Sequence, residues 1–232
     1  MTPKVKNILL FMIILFIIIP NYHEVFSLVQ NNDIFFKNGS REEKIIALTF
    51  DDGPHPKETH EVLDVLNKYN VKGTFFVVGK HANWYSKPLI RAAKEGHEIG
   101  NHTFTHPDIS NLSSEDIKRE IKECEDTLVK LTGKKPTLFR PPYGSYSETK
   151  LGEIAKECGY KIILWTTIDA KDWKNPPSSQ ISDIIINKAK NGDIILLHDY
   201  ATENTVKALD TIIPEMMKKG YKFVTVSELI NK

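Results

Sequence analysis

Two aspartates stand side by side at 51 and 52, directly after the apolar, β-branched run Ile45 to Phe50 and directly before Gly53-Pro54. Neither Gly nor Pro continues a regular element, so the run reads as a strand that stops at the acids. Neighbouring residues of a strand point to opposite faces. Both carboxylates can therefore serve one site only where the backbone turns between them, and Gly53-Pro54 is expected to supply that turn. Paired acids there suit a general base beside a metal ligand, but Asp-Asp-Gly is also the composition of an ordinary solvated turn.

Other groups could join them. His102 and His106 are separated by four residues, the spacing at which two imidazoles on one helical turn share a metal; a helix cap and a surface histidine are the plainer alternative. With Asp52 they would make two imidazoles and one carboxylate, a three-ligand set that leaves a position for water, as catalytic zinc requires. Arg140 opens the rigid turn Arg140-Pro141-Pro142-Tyr143-Gly144 and could hold Asp51 ionised while a backbone N–H is aimed inward; a stiffened loop with an exposed salt bridge fits the same residues. His198 ends the apolar run Ile194 to Leu197, as a candidate acid or a core histidine. His55, His60, His81 and His97 have no partner at suggestive spacing and read as surface residues.

These residues need a frame. Val62, Leu63, Val65, Leu66 and Tyr69 recur at helical spacing after the first strand, and Gly73 to Val78 reads as a second buried strand. Further strands are expected at Glu98 to Asn101, Leu138 to Arg140, Lys161 to Thr166, Asp193 to Leu197 and Lys222 to Val226. The helices between them end at Gly96, Gly133, Gly159, Asn191-Gly192 and Gly220, and Ser113 with Asp116 opens the third. Strands alternating with helices predict an α/β fold with a parallel sheet, and about seven such units predict a barrel or near-barrel. In parallel barrels the chemistry sits where strands run into helices. Asp51-Asp52, His102 and His106, Arg140 and Tyr143, Asp169 to Trp173, and His198 all fall there.

The 232 residues are 41% hydrophobic, enough for one sizeable core in a single domain. The 31 basic and 30 acidic residues are scattered, with no basic stripe, which argues against nucleic acid as a partner. Lys4 and Lys6 precede the unbroken apolar run Ile8 to Ile19, the pattern of an export signal cleaved after Ser27; if uncleaved, residues 8–26 could anchor the chain in a membrane. The expected organisation is a signal or anchor at 1–27, a linker at 28–44 and a catalytic domain at 45–232, facing the outside or the cell envelope. Cys124 and Cys158 fall in predicted helices and read as two unpaired buried thiols, with a bridge between them as the alternative if the two helices are neighbours.

Thr49-Phe50-Asp51-Asp52-Gly53-Pro54, His102-Thr103-Phe104-Thr105-His106, Arg140-Pro141-Pro142-Tyr143-Gly144, Asp169-Ala170-Lys171-Asp172-Trp173 and Leu196-Leu197-His198 resemble, in order, the five motifs of NodB-type polysaccharide deacetylases, carbohydrate esterase family 4. The resemblance runs from Ile45 to about Leu229. It implies a distorted (β/α) barrel with about seven parallel strands and a divalent metal, usually zinc, on Asp52, His102 and His106. It further implies Asp51 as general base held by Arg140, the Tyr143 backbone N–H at the oxyanion, and His198 as the acid, oriented by Asp169. Trp173 and Leu196, with Tyr143, would wall the acetyl pocket. The expected activity is N-deacetylation of N-acetylglucosamine residues in a polysaccharide, peptidoglycan first, by a monomer. Chitooligosaccharide, exopolysaccharide and O-acetyl xylan are the alternatives within the class, and a non-catalytic glycan-binding envelope protein is the alternative outside it.

Overall fold

Alternation of side chains along one strand organises the interior of the molecule. In the computed structural model, which describes residues 34–166 and 168–232, strand β2 (Ile45–Asp51) is buried along its whole length. Ile46, Leu48 and Phe50 pack outward under the helices, while Ile45 and Ala47 join an inner cluster with Phe76, Leu138, Ile163 and Ile194. The inner face therefore runs Ile45, Ala47, Thr49, Asp51, apolar at the base and polar at the mouth. Both faces of a parallel strand are covered, so the run reads as continuously hydrophobic until the chemistry begins.

The remaining strands are β1 (Phe35–Phe36), β3 (Thr74–Val77), β4 (Glu98–Asn101), β5 (Leu138–Phe139), β6 (Lys161–Ile163), β7 (Ile194–His198) and β8 (Lys222–Phe223). Seven follow the order β1-β6-β5-β4-β3-β2-β7, and β8 pairs with the start of β2; every ladder is parallel. The helices are α1 (Glu58–Lys68), α2 (Gly79–Trp84), α3 (Ser86–Lys94), α4 (Ser114–Thr132), α5 (Glu148–Cys158), α6 (Ser178–Lys188), α7 (Glu203–Lys218) and α8 (Val226–Ile230). This is the distorted barrel of parallel strands expected from the sequence, with α2 and α8 as added short helices, the latter starting at Val226 where the last strand was expected to end. Val226 and Leu229 of α8 close the inner cluster from below.

Local signals act as read. The Ser113 hydroxyl accepts the Asp116 N–H at 3.1 Å to cap α4, whose other end stops on Gly133 at φ 73°, a left-handed value that carries no Cβ penalty in glycine. Cys124 and Cys158 are unpaired, the first buried and the second half-buried. Among the described residues no helix is long and apolar enough to cross a membrane.

The export segment, residues 1–27, lies outside the described residues, but the linker expectation is corrected over 34–44. Phe35–Phe36 form an edge strand on β6, Ile34 is buried with Phe139 and Ile162, and the Gly39 N–H donates to Gly192 O at 2.8 Å. Arg41 then pairs with the Asp193 carboxylate just before β7. The polar Lys37-Asn38-Gly39-Ser40 stretch masks two short apolar anchors whose partners are more than a hundred residues away. Burying Ile34 alone is worth about 1.5–3 kcal/mol. A chain starting at residue 45 is therefore expected to melt at least about 3 °C below one starting at 34, as read by calorimetry.

Candidate active site

Asp51 ends β2 on its inner face and is buried. Asp52 has φ 73°, so the chain turns at this residue itself, one position earlier than the expected turn at Gly53-Pro54, and the second carboxylate joins the first on one side. Gly53 is needed for a different reason: a Cβ there would sit 2.4 Å from the Asp199 carboxylate. That carboxyl is buried under the turn, takes the Thr59 hydroxyl at 2.6 Å, and is pushed up to about 7 by burial and by the charges of Asp52 and Asp51.

His102 and His106 converge without a helix. They lie in the loop after β4, with Thr103 at φ 67° and His106 at φ 61°, so the helical-turn reading of their spacing is corrected. Asn101 Oδ1 accepts the Thr103 N–H at 2.9 Å, an Asx turn, and Thr103 Oγ1 accepts the His106 N–H at 3.0 Å. The Glu120 carboxylate of α4 takes the N–H groups of Phe104 and Thr105. Asn101 carried a readable turn signal; Glu120 carried none, because its partners lie in another element.

The donor set fits a metal. One ligand atom from each of Asp52, His102 and His106 lies within 4.8 Å of the others, and Asp52 Oδ1 is 3.4 Å from His102 Nε2 and 3.1 Å from His106 Nε2. His102 Nδ1 lies 2.8 Å from the carbonyl of Arg140, which can only accept, so Nδ1 carries the proton and the Nε2 lone pair faces Asp52. Burial alone would raise the Asp52 pKa, but hydrogen bonds with His102 and His106 and the charges of His102 and His198 outweigh it and hold the carboxyl well below the usual range.

Arg140 has no exposed surface. Its Nη1 donates to Asp51 Oδ1 at 2.6 Å and to Thr49 Oγ1 at 2.8 Å, and Nε and Nη2 donate to the carbonyls of Ile163 and Leu164. Its partner is buried, so the exposed-loop alternative does not apply. Asp51 Oδ2 stands 3.8 Å from His102 Nε2, which sets the second oxygen beside the donor set.

His198 Nδ1 lies 2.8 Å from Asp172 Oδ1, and the other oxygen of Asp172 accepts the His198 N–H and the Thr205 hydroxyl. The partner expected at 169 is thus found at 172. Asp169 is exposed, its Oδ1 closing a turn on the Lys171 N–H, and nothing in a sequence with acids three apart selects the one beneath the imidazole. Burial would lower the His198 pKa, but the Asp172 hydrogen bond and the charges of Asp172, Asp51 and Asp52 raise it to about 9. The other histidines correct the surface reading in part. His97 is buried, accepts the Gly73 N–H and is lowered to about 4 by that burial, while His81 reaches the Asp52 carbonyl.

Every expected site residue except buried Arg140 lines one open cleft of about 400 Å³. Tyr143 (68% exposed) and Trp173 (54%) form its rim, and Leu196 forms part of its wall. Pro141 and Trp165 line it too, without having been expected. A Cβ on Gly144 would fall 2.7 Å from the Trp165 ring, so the rigid turn is fitted over that indole.

A family model described as polysaccharide deacetylase matches residues 38–163. The chain is 46% identical over 191 residues, 81% of its length and 89% of the relative's, to a peptidoglycan-N-acetylglucosamine deacetylase of Bacillus cereus. It is 40% identical to the peptidoglycan-N-acetylmuramic acid deacetylase PdaC of Bacillus subtilis over 89% of this chain and 42% of that longer protein. A crystal structure of a peptidoglycan N-acetylglucosamine deacetylase superposes with a TM-score of 0.84 at 35% identity, covering 89% of this chain and 97% of that one. The chain belongs to the polysaccharide deacetylase family, hydrolases of the carbohydrate esterase family 4 type.

Proposed function

We propose that the protein is an exported, zinc-dependent N-deacetylase that removes acetyl groups from N-acetylglucosamine residues of peptidoglycan. The observation that carries this reading is the meeting, in one cleft, of the Asp52, His102, His106 donor set with Asp51 and His198, each backed by a buried partner, Arg140 and Asp172. Similarity to peptidoglycan deacetylases over most of the chain supports the polymer, and the charged-then-apolar start supports export.

A divalent metal held there supplies a Lewis acid that lowers the pKa of water and polarises the acetyl carbonyl. Asp51 takes the proton of the attacking water. The Tyr143 backbone N–H donates to the acetyl oxygen as it gains charge. His198, cationic at neutral pH, hands its proton to the leaving amine nitrogen, with Asp172 holding the ring by Nδ1. Leu196, Trp173 and Tyr143 enclose the acetyl methyl. The presence of both the base and the acid favours this over a non-catalytic glycan-binding role.

The test is acetate release by residues 28–232, metal-stripped and then reloaded with zinc, from peptidoglycan and from N-acetylglucosamine oligomers. Zinc-dependent release with peptidoglycan preferred is expected; bound zinc without acetate from either substrate would sink the reading, and analysis of the product sugars separates glucosamine from muramic acid sites. Asp51→Asn should retain zinc and lose about 10²–10⁴-fold in rate, and near-native turnover would remove its role as base.

The acid assignment gives a signed pH dependence. The cationic form of His198 is the donor, so kcat/KM should fall as pH rises through about 9. Asp172→Asn removes the hydrogen-bonded charge that raises this pKa and should move the alkaline limb to lower pH. Asp169→Asn should leave it in place. An alkaline limb that moves with residue 169 rather than 172 would reverse the correction.

A further inference from the structure

Asp52 must hold a left-handed backbone while presenting its carboxylate to the donor set, a conformation strained for a residue with a Cβ that persists only where its surroundings fix it. Three consecutive carbonyls at this turn each accept a hydrogen bond from a different part of the chain. Asp51 O takes the Asp199 N–H at 3.2 Å, and Gly53 O takes the Val78 N–H at 3.0 Å. The middle carbonyl, that of Asp52, is held at 2.6 Å by His81 Nδ1. A carbonyl can only accept, so Nδ1 carries the proton and donates. The outer two bonds are between backbone groups and survive any side-chain substitution other than proline at the donor. The middle one exists only because residue 81 is a donor.

We propose that His81 is a positioning residue for the metal ligand Asp52; the inference rests on the metal-binding reading of Asp52, His102 and His106 given above. Fixing the plane of the 52–53 peptide, with Asp51 already anchored on the other side, leaves the Cα of Asp52 no freedom to swing its Cβ away from the histidines. The imidazole is itself held, stacked on the Tyr200 ring at 4.3 Å with 14° between planes and flanked by Trp84. Tyr200 follows Asp199, the residue that anchors Asp51 O, so one segment after β7 secures both peptides.

His81 lies on α2, and the start of that helix is tied to the other half of the donor set. The Gly79 N–H donates to Thr103 O at 3.0 Å and the Lys80 N–H to Phe104 O at 2.9 Å, both inside the loop that carries His102 and His106. Contact there is close, since a Cβ on Gly79 would fall 2.5 Å from the Phe104 ring. The six residues of α2 thus brace the histidine loop with their backbone and the aspartate with one side chain. This fixes the separation between ligands that come from two different strands.

Two variants separate the donor from the ring. His81→Phe keeps the aromatic stack and loses the N–H, whereas His81→Asn keeps a donor at the Nδ1 position and loses the stack. Zinc dissociation constants are to be measured on the full-length chain by competition with a chromogenic chelator, with melting temperatures of the metal-free proteins alongside. The expected result is about 10–100-fold weaker zinc binding in His81→Phe, the range for partners that orient a metal ligand, and near-native binding in His81→Asn. His81→Phe that binds zinc as tightly as wild type overturns the proposal, and so does His81→Asn that weakens binding as much as His81→Phe. If His81→Phe melts early, His81→Leu, which also lacks the donor, takes its place in the comparison. Wild type that binds no zinc would sink the metal reading itself, a different outcome from either variant result.

Discussion

A guanidinium sealed inside the barrel is the constraint on which the site depends. A charge without solvent must be matched by partners of fixed geometry or it costs several kcal/mol. Arg140 finds Asp51, the Thr49 hydroxyl and the carbonyls of Ile163 and Leu164, with its guanidinium carbon 4.1 Å from the centre of the Phe76 ring. Its own carbonyl accepts His102 Nδ1. One residue therefore orients the base through its side chain and a metal ligand through its backbone. Replacing its side chain would leave a buried carboxylate unpaired, while the main-chain carbonyl that sets the tautomer of His102 would remain.

The same residue accounts for a departure in the fold. The apolar pattern of β6 extends to Thr166, yet the strand ends at Ile163. The carbonyls of Ile163 and Leu164 turn inward to Arg140, and the Thr166 N–H crosses to Ile194 O beside β7. Satisfying the charge competes with continuing the ladder, and the charge prevails because it has no water to fall back on.

Left-handed residues collect where the chemistry is. Asp52, Thr103, His106, Tyr143 and Lys171 all have positive φ, and none is glycine. Each sits in a loop where a strand has ended, and four of them are held by neighbours: His81 at the Asp52 carbonyl, Asn101 Oδ1 on the Thr103 N–H, Thr103 Oγ1 on the His106 N–H and Asp169 Oδ1 on the Lys171 N–H. Strain of this kind persists only where the surroundings over-determine the backbone, which explains why so much of the supporting hydrogen bonding surrounds the ligands.

The amino-acid sequence by itself determined the strand-helix alternation, the helix ends at Ser113 and Gly133, and the placement of every chemical group at a strand end. Those features depend on residues within a few positions of one another, where periodicity and turn chemistry are decided. Only the tertiary structure decided that Asp172 rather than Asp169 meets His198, that His102 and His106 converge through a loop, that residues 34–44 belong to the barrel, and that His81 touches Asp52. Each of these is a choice of partner from another segment of the chain, Glu120 of α4 in the case of the histidine loop. It is settled by how the strands stack and by which buried polar group lacks water, and local pattern carries no record of either.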